Sequence, residues 1–557
     1  MKRLPDHIRL SGRELAVPVT AMDRLVNWFD PAAGQRRFQA RARMALLSLG
    51  GGYASADRTR RANQKGPRRE MDADGAIIPD LRVLREDSQH LARNNPLALG
   101  ALKTNITKVV GCGLRAKPSV DRDLLRLSDE AADAWEREAE REWLLATETP
   151  EIDLEREMPF SQLQALIFLR VLEDGDVLVN LPRVSRPGSP YPLRLQLIEA
   201  ARICNPDFGA DSDTLVAGVR KDVHGAPEAF HVCNRHPGRR RQFRDGRALD
   251  FSWTTLPAFA PDGTPLALFL KDKTRPGQTR GVPYLAPVIE LIRQLGRYTD
   301  AEVMAAVVSG MLTVFVYSES GSPQFGPAPN MYDPEGSRAK QDDPTGLELG
   351  YGSVLGLADG QRIETVNPGR PNSAFDPFFQ AVCRQIGMSL ELPFEVLIKH
   401  FTASYSAARA SLLDAWDYFW RRRQWLSTQL CQPIYDRIIT EAVVMGRLRC
   451  PGFFADPAVR RAWLSVRWDG DAPGEIDPLK AVQAAQARVN MRLTSLDQEY
   501  AEMIGGDHER VRPQIEREQR WLAQVGAVRE PPLQAEPANT INQENDNATD
   551  NDSDNED

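Results

Sequence analysis

The chain has 557 residues, of which 42% are hydrophobic and 26% charged, with a formal net charge of −7. That composition supplies buried cores for several domains and excludes a collagen or a wholly disordered chain. Six cysteines (Cys112, Cys204, Cys233, Cys383, Cys431 and Cys450) are scattered without a CxxC pair, which excludes a disulfide scaffold or zinc ribbon and suits a reducing compartment.

No GxxxxGK[ST], GxGxxG or GxSxG run occurs, so the common nucleotide-binding and nucleophile-elbow signatures are missing. The opening MKRLPDHIRLSGREL has no apolar core of a signal peptide. The longest uncharged, mostly apolar run, 303–317, is interrupted by Ser309, Gly310 and Thr313 and is too short for a membrane span.

Charge is polarised along the chain. Residues 1–70 hold 15 Lys/Arg against 6 Asp/Glu, and residues 530–557 hold 9 Asp/Glu and no Lys/Arg. The basic arm (1–75) carries Arg36, Arg37, Arg41, Arg43, Arg58, Arg60, Arg61, Arg68 and Arg69. It reads either as a solvated, partly flexible arm or as a contact for nucleic acid or an acidic partner. The tail 529–557, rich in Asn, Asp and Glu, has too few apolar side chains to offset its ordering entropy and is expected to be disordered.

Between the ends the pattern is α+β. Residues 76–147 read as helical with a break at 109–113, and Trp135, Ala139 and Trp143 recur on one helical face. A helix from Phe160 to Glu173 carries Leu163, Leu166, Ile167 and Val171 on one side. Strand-like runs follow at 177–181, 193–198 and 230–232, separated by Pro/Gly/Asp turns. Residues 281–310 form a helix by the spacing of Leu285, Val288, Ile292 and Leu295, with Glu290, Arg293, Gln294 and Arg297 opposite.

A strand-like run at 311–317, a Pro/Gly-rich loop at 318–346, and two short strands (353–357 and 362–366) around Asp359-Gly360 come next; the last pattern predicts a hairpin. A helix is expected over 374–389. The longest helical pattern, about 411–447 and ~55 Å at ~1.5 Å per residue, contains Pro433 and is expected to kink there. Its Arg421-Arg422-Arg423 run reads as a solvated face, a subunit contact or a DNA-facing patch. Asp477 with Pro478 predicts the start of a helix bearing Leu479, Val482, Val489 and Leu493, then a shorter one ending at Gly505-Gly506, then a charged one over 508–525.

Candidate chemistry is sparse. His224, His231, Cys233 and His236 lie close together, but His231 and Cys233 alternate on a strand and no fourth ligand has zinc spacing; a hairpin turned by Pro237-Gly238 explains them. Glu173, Asp174 and Asp176 would suit a Mg²⁺ site or general acid–base work, yet a polar turn around Gly175 accounts for them more simply. Asp469, Asp471, Glu475 and Asp477 read as loop solvation and helix capping, and Trp416, Trp420 and Trp425 as packing rather than a base-stacking platform. No metal or cofactor is called for.

Several collinear runs nevertheless resemble the portal proteins of tailed bacteriophages, of the lambda type. They are ARNNPLA (92–98), VVGCGL (109–114), LEDGD (172–176), LRLQLIEA (193–200), RPGQTRGVP leading to LAPV (275–288), YSAARA (405–410) and DPLK (477–480). Together they span about 80–505; this chain has Ala403-Ser404 where the family often has Asn or Gly.

The resemblance implies a portal fold: wing (76–279), first stem helix (280–310), clip (311–372), second stem helix (373–395), tunnel loop (396–409), kinked helix with return to the wing (410–476) and crown helices (477–528). It implies a homo-oligomeric ring, usually of twelve copies, at one capsid vertex of the virion, assembled in the bacterial host cytoplasm. Double-stranded DNA would pass through it. The terminase large subunit, a head–tail adaptor and the major capsid or scaffold protein would dock on it. No membrane and no enzymatic turnover are implied.

Lys399, His400, Thr402, Ser404 and Arg409 would line the tunnel loop, and Arg293, Arg297 and Arg384 would face the channel or a neighbouring subunit on the stem; the alternative for Lys399, His400 and Arg409 is subunit–subunit pairing. Twelve helices of ~10 Å diameter side by side leave a bore of roughly 28 Å, wide enough for a duplex. Two other readings stay open: a Mg²⁺-dependent DNA-processing enzyme built on Glu173, Asp174 and Asp176, and a DNA-binding adaptor using the basic arm.

Overall fold

The computed structural model describes residues 7–10, 13–16, 26, 28, 30, 33, 70–238, 251–311, 315–318, 361–364, 372, 374–400, 405–473, 478–504 and 508–525. The chain divides into two units, Met1–Asp72 and Ala73–Asp557. In the first, strands β1 (His7–Leu10) and β2 (Arg13–Ala16) pair antiparallel, with Leu10 opposite Arg13. The arginine-rich stretch 36–69 of the expected basic arm lies outside the described residues, as does the acidic tail beyond Val525.

The second unit opens with α1 (Ala73–Asn94) and α2 (Pro96–Val109). Asn95 separates them: its Oδ1 accepts from the backbone N–H groups of Leu97 (3.0 Å) and Ala98 (3.1 Å), and Pro96 needs no partner for the donor it lacks. Strand β3 (Arg115–Pro118) follows, then α3 (Asp129–Thr147), capped by Ser128. The i, i+4, i+8 set of Trp135, Ala139 and Trp143 is buried as its spacing predicts. Trp143 packs edge-on against Phe160 at 5.4 Å between centroids, which ties α3 to α4 (Phe160–Asp174).

Gly175 ends α4, and β4 (Asp176–Asn180) begins at once. It is the central strand of an antiparallel sheet with β5 (Gln196–Glu199) and β10 (Ala267–Lys271) at its sides. The strand is buried on both faces. Val177 and Val179 enter the large core shared with the helices, while Leu178 enters a second core with Ile198, Val219 and Phe230. That second core lies under a four-stranded antiparallel sheet of β6 (Leu215–Val216), β7 (Val219–Lys221), β8 (Pro227–Cys233) and β9 (Trp253–Pro257).

Helix α5 (Ile289–Met311) and helix α6 (Phe375–Ser389) lie side by side and antiparallel. Tyr284, before α5, donates to the carbonyl of Leu390, after α6. Further along, Tyr298 meets Phe378 at 4.9 Å between ring centroids, and Asn372 Nδ2 donates to Glu302 (2.8 Å).

Between the two helices, β11 (Phe315–Ser318) pairs antiparallel with β12 (Gln361–Glu364). The Asp359-Gly360 hairpin was expected to pair 362–366 with 353–357. The described partner of β12 is β11, more than forty residues upstream; 353–357 and the Asp359-Gly360 turn lie outside the described residues.

A short α7 (Phe394–Ile398) leads through left-handed Lys399 (φ 55°) towards α8 (Tyr405–Leu426). Pro433, where a kink was expected, lies just after a change of helix type. The path runs from α8 through a π-helical turn, Ser427–Cys431, into α9 (Gln432–Val444), with Pro433 in the first turn of α9. Pro433 lacks the N–H that would bond the carbonyl four residues back, and its ring crowds that carbonyl; widening the turn before it relieves both. Next are α10 (Pro457–Trp463), capped by Asp456, and β13 (Val466–Asp469), which pairs with β3. Then come α11 (Pro478–Asn490), α12 (Leu496–Ile504) and α13 (His508–Val525). Asp477 and Gly505-Gly506 lie outside the described residues. No described helix is long and apolar enough to cross a membrane.

Candidate functional site

The acidic cluster Glu173–Asp176 is the natural place to look for chemistry, and the fold commits it elsewhere. Asp176 is fully buried. Its Oδ2 accepts from Arg280 Nε (2.8 Å), Arg85 Nη2 (3.0 Å) and the Gly281 N–H (2.9 Å), and its Oδ1 from Arg280 Nη2 (2.8 Å). Burial alone would raise the Asp176 pKa; the Arg280 and Arg85 charges overcome it and hold the carboxyl below its ordinary value. The remaining donors of Arg280 go to the carbonyls of Ala200 (2.7 Å), Ile203 (2.8 Å) and Ala217 (2.8 Å).

Asp174 accepts from Gln89 Nε2 (2.7 Å) and pairs with Arg170 (3.4 Å), and Glu173 pairs with the same arginine. Burial raises the pKa of both Glu173 and Asp174. Asp176 accepts four protein donors, and Asp174 and Glu173 are each engaged by a neighbouring arginine, an arrangement that joins elements rather than one that holds an open metal position.

The same joint absorbs the RPGQTRGVP run. Gln278 Oε1 accepts from the Thr274 and Arg275 N–H groups (2.9 and 3.1 Å), and its Nε2 donates to the Arg280 carbonyl (2.9 Å). Asp74, at the start of α1, accepts from the Thr279 N–H (2.7 Å) and pairs with Lys221 (2.9 Å). Lys271 donates to the carbonyls of Gln278 (2.9 Å) and Thr279 (2.6 Å), and burial lowers it to about 8. Gly175 and Gly281 touch back to back: a Cβ built on Gly281 would stand 1.9 Å from the Gly175 carbonyl oxygen. The entrance to α5 is thus bolted to the α4–β4 corner and to α1. Sequence reasoning singled out LEDGD and RPGQTRGVP but missed Arg85 and Gln89, which sit among the charged residues of α1 with nothing local to mark them.

The Arg421-Arg422-Arg423 run divides three ways. Arg423 is buried and donates to the carbonyls of Val109 (3.1 Å), Lys108 (3.0 Å) and Asp471 (3.0 Å), with its guanidinium 5.1 Å from the Trp420 ring centre. Arg422 pairs with Asp272 (2.7 Å), and Arg421, exposed, pairs with Glu391. Trp416 is buried and Trp420 is half exposed, so the tryptophans serve packing and arginine stacking within the chain.

The other candidate ligands have ordinary partners. His231 Nδ1 faces Thr255 Oγ1 (3.2 Å), and His236 Nδ1 accepts from the Gly238 N–H (3.0 Å). Among the described residues no three His, Cys, Asp or Glu side chains group as metal ligands. Asp471 accepts from the Cys112 N–H (2.8 Å), and Asp469 pairs with Arg467 (3.0 Å); Glu475 and Asp477 lie outside the described residues.

The residues proposed for a channel are spread along one continuous stretch of elements. On α5, Arg293 pairs with Asp87, and Arg297 is exposed with no ion pair among the described residues. On α6, Arg384 donates to Gln380 Oε1 (3.0 Å) and lies 5.0 Å from the Phe394 ring centre. Lys399 and His400 are exposed at the end of α7, where the His400 N–H donates to the Glu395 carbonyl (3.2 Å), and Arg409 is exposed near the start of α8. Thr402 and Ser404 lie outside the described residues.

Residues 58–423 match the family described as phage portal protein, lambda family. The chain belongs to that family, whose members are structural components of the phage virion. Portal protein B of Escherichia phage lambda is 25% identical over 464 residues, covering 80% of this chain and 85% of that relative. The portal protein of Escherichia phage N15 is 25% identical over 466 residues, with the same coverage of each. Among solved structures, a chain of the virion of the native gene transfer agent particle aligns over 82% of this chain and 96% of its own length, at 12% identity and a TM-score of 0.35.

Proposed function

We propose that copies of this chain assemble into the ring at one capsid vertex through which double-stranded DNA enters during packaging and leaves on ejection, usually with twelve copies. The observation that carries this reading, beyond family membership, is the antiparallel pair α5 and α6. One edge of the pair is anchored by the Asp176–Arg280 joint. Large apolar side chains elsewhere on it stand in solvent: Val303, Met304 and Val307 on α5, and Phe378 on α6. A helix pair with apolar side chains uncovered in the single chain is suited to side-by-side packing with its copies.

In this reading residues 76–279 form the wing, 280–310 and 373–395 the stem, 311–372 the clip, 396–409 the tunnel loop, 410–476 the π-jointed helix and its return to the wing, and 477–528 the crown. The clip takes the terminase large subunit during packaging and the head–tail adaptor afterwards; the wing meets the major capsid or scaffold protein. Assembly takes place in the host cytoplasm.

The middle of the chain, 71–529, keeps the net charge of −7 because the +9 of residues 1–70 and the −9 of residues 530–557 cancel, and this keeps a passing duplex from binding tightly, since each neutralised phosphate would add affinity and act as a brake. Lys399, His400 and Arg409, with Thr402 and Ser404 between them, supply transient grip, and Arg293, Arg297 and Arg384 lie along the stem. Alanine at Lys399, His400 and Arg409 together is expected to leave ring assembly intact and to lower DNA retention after packaging. Normal packaging and normal retention in that variant would overturn the role of the loop. The buried Asp176 carboxylate, which accepts four protein donors, weighs against a Mg²⁺-dependent nuclease.

A further inference from the structure

The π-helical turn Ser427–Cys431 opens beside a cleft of about 850 Å³ whose walls come from the end of α8, the start of α9, and α10 with β13. Four arginines line it, Arg421, Arg423, Arg460 and Arg461, against a single acid, Asp436, and the indoles of Trp420 and Trp468 form part of the walls. Asp436, which burial pushes up to about 6, is the one acid among the lining residues, and Arg421 also pairs with Glu391 outside the cleft. Arg423 and Arg460 hydrogen-bond to neutral partners, backbone carbonyls for the first and Thr440 Oγ1 (3.4 Å) for the second, while Asp469 and Asp471 lie near Arg423 and Asp436 lies near Arg460 and Arg461. The lining residues thus carry four cations against one acid in a chain whose net charge is −7.

Pi-helical turns recur at functional positions because the widened turn exposes backbone and side chains that a regular helix would cover. Ser427 and Thr428 of this turn line the cleft. We propose that the cleft binds an acidic peptide segment, and that its occupant is the acidic segment 530–557 of this chain.

Three observations select that segment. It holds 9 Asp/Glu and no Lys/Arg, the charge opposite to the cleft wall. It also starts within reach. A smaller cavity shares Trp420, Arg423 and Trp468 with the cleft and is lined on its other side by Gln498, Ala501 and Glu502 of α12, so the helices that lead to residue 525 begin beside it. From there α13 rises ~27 Å over its 18 residues, while the 28 residues of 530–557 extend to roughly 95 Å, ample to double back. Finally, a recess with cations on its walls admits single carboxylate side chains, whereas a duplex would meet only its rim.

The test uses the full chain with the nine acids of 530–557 replaced by Asn or Gln. Hydrogen exchange over 424–432 and 457–468 is expected to run several-fold faster than in the unaltered chain. A fluorescent synthetic peptide of residues 530–557 titrated into that neutralised chain is expected to bind, to restore protection over the same two stretches, and to be released by high salt. Arg421→Glu with Arg461→Glu, both exposed positions that leave the buried Arg423 alone, is expected to weaken the peptide about tenfold or more.

Unchanged exchange on neutralising the tail would overturn the proposal. So would peptide binding that ignores the two Glu substitutions. A duplex oligonucleotide that protects the same stretches at least as tightly as the peptide would assign the cleft to nucleic acid and overturn it as well. None of these readouts depends on ring formation.

Discussion

Arg280 grips Asp176 with two parallel hydrogen bonds of 2.8 Å, at a point where both side chains are out of reach of water and more than a hundred residues of chain lie between them. Because the pair is buried and fully satisfied, breaking it from one side leaves an uncompensated charge. Asp176→Asn or Arg280→Ala is expected to destabilise the fold by ~3–5 kcal/mol. Arg280→Lys is expected to fall well short of rescue, since an ammonium cannot supply the fork.

The carboxyl pKa is held below its unfolded value, so this contribution is complete above about pH 4 and is lost as pH falls through the depressed folded value. Thermal melts of each variant across the acid range check both statements. An unaltered Tm in Asp176→Asn, accompanied by loss of a Mg²⁺-dependent nuclease activity, would instead support the enzyme reading.

Gly175 and Gly281 make a sharper test of the same joint. Gly175 has φ +90°, and an added Cβ there would stand 2.5 Å from the Gly281 carbonyl; Gly281 has no such backbone requirement but would collide at 1.9 Å. Alanine at either is expected to cost about 3 kcal/mol or more and to depress soluble yield. Gly277→Ala is the control: φ is +76° with open space around it, so only the left-handed strain of roughly 1–2 kcal/mol applies. Equal effects at all three positions in chemical denaturation would show that conformation, not the backbone contact, governs this corner.

What could be read from the sequence follows the range of the interaction. The Trp135-Ala139-Trp143 face and the helix over 508–525 are local patterns, and the fold reproduces them; the reading of 76–147 misses the break at Asn95, although its cap is local too. The hairpin expected around Asp359-Gly360 lies outside the described residues, and the pairing of β12 with β11, more than forty residues upstream, is a choice that turn chemistry does not encode. Pro433 marked the region where the long helix changes form, and the widened turn that precedes it, Ser427–Cys431, is not a feature that the proline alone spells out.

At the candidate site, LEDGD and RPGQTRGVP were visible as motifs. That Asp176 meets Arg280 and Arg85, and so becomes a joint instead of a metal site, depends on contacts between residues 91 and 104 positions apart. The Arg421–Arg423 run shows the same limit, since three adjacent arginines of identical chemistry end in three different environments.

That division predicts unequal effects. Arg423 satisfies three backbone carbonyls from a buried position, so Arg423→Met is expected to cost about 2–4 kcal/mol through those orphaned acceptors. Arg421 holds an exposed pair with Glu391, and Arg421→Ala is expected to change stability by less than ~1 kcal/mol. Comparison of urea midpoints for the two variants checks this.

Asp436 gives a pH-dependent prediction of opposite sign to Asp176. Burial raises its folded pKa from 3.8 to about 6 while Gln432 Nε2 bonds it at 2.7 Å. The folded state therefore holds its proton more tightly than the unfolded state, and this group lowers stability progressively as pH rises from about 4 to 6. Asp436→Asn keeps an acceptor for Gln432 and removes the charge, so a gain of up to ~2 kcal/mol is expected near pH 7. That gain should vanish below pH 4. A gain independent of pH would mean that packing, not ionisation, accounts for it.

The central claim is that this chain builds a ring, and mass photometry of the purified protein with negative-stain microscopy tests it most directly. Twelve copies of 62.2 kDa predict particles near 750 kDa, seen end-on as rings with a central hole. A monomer or dimer at every concentration, with no rings in the images, would contradict the account.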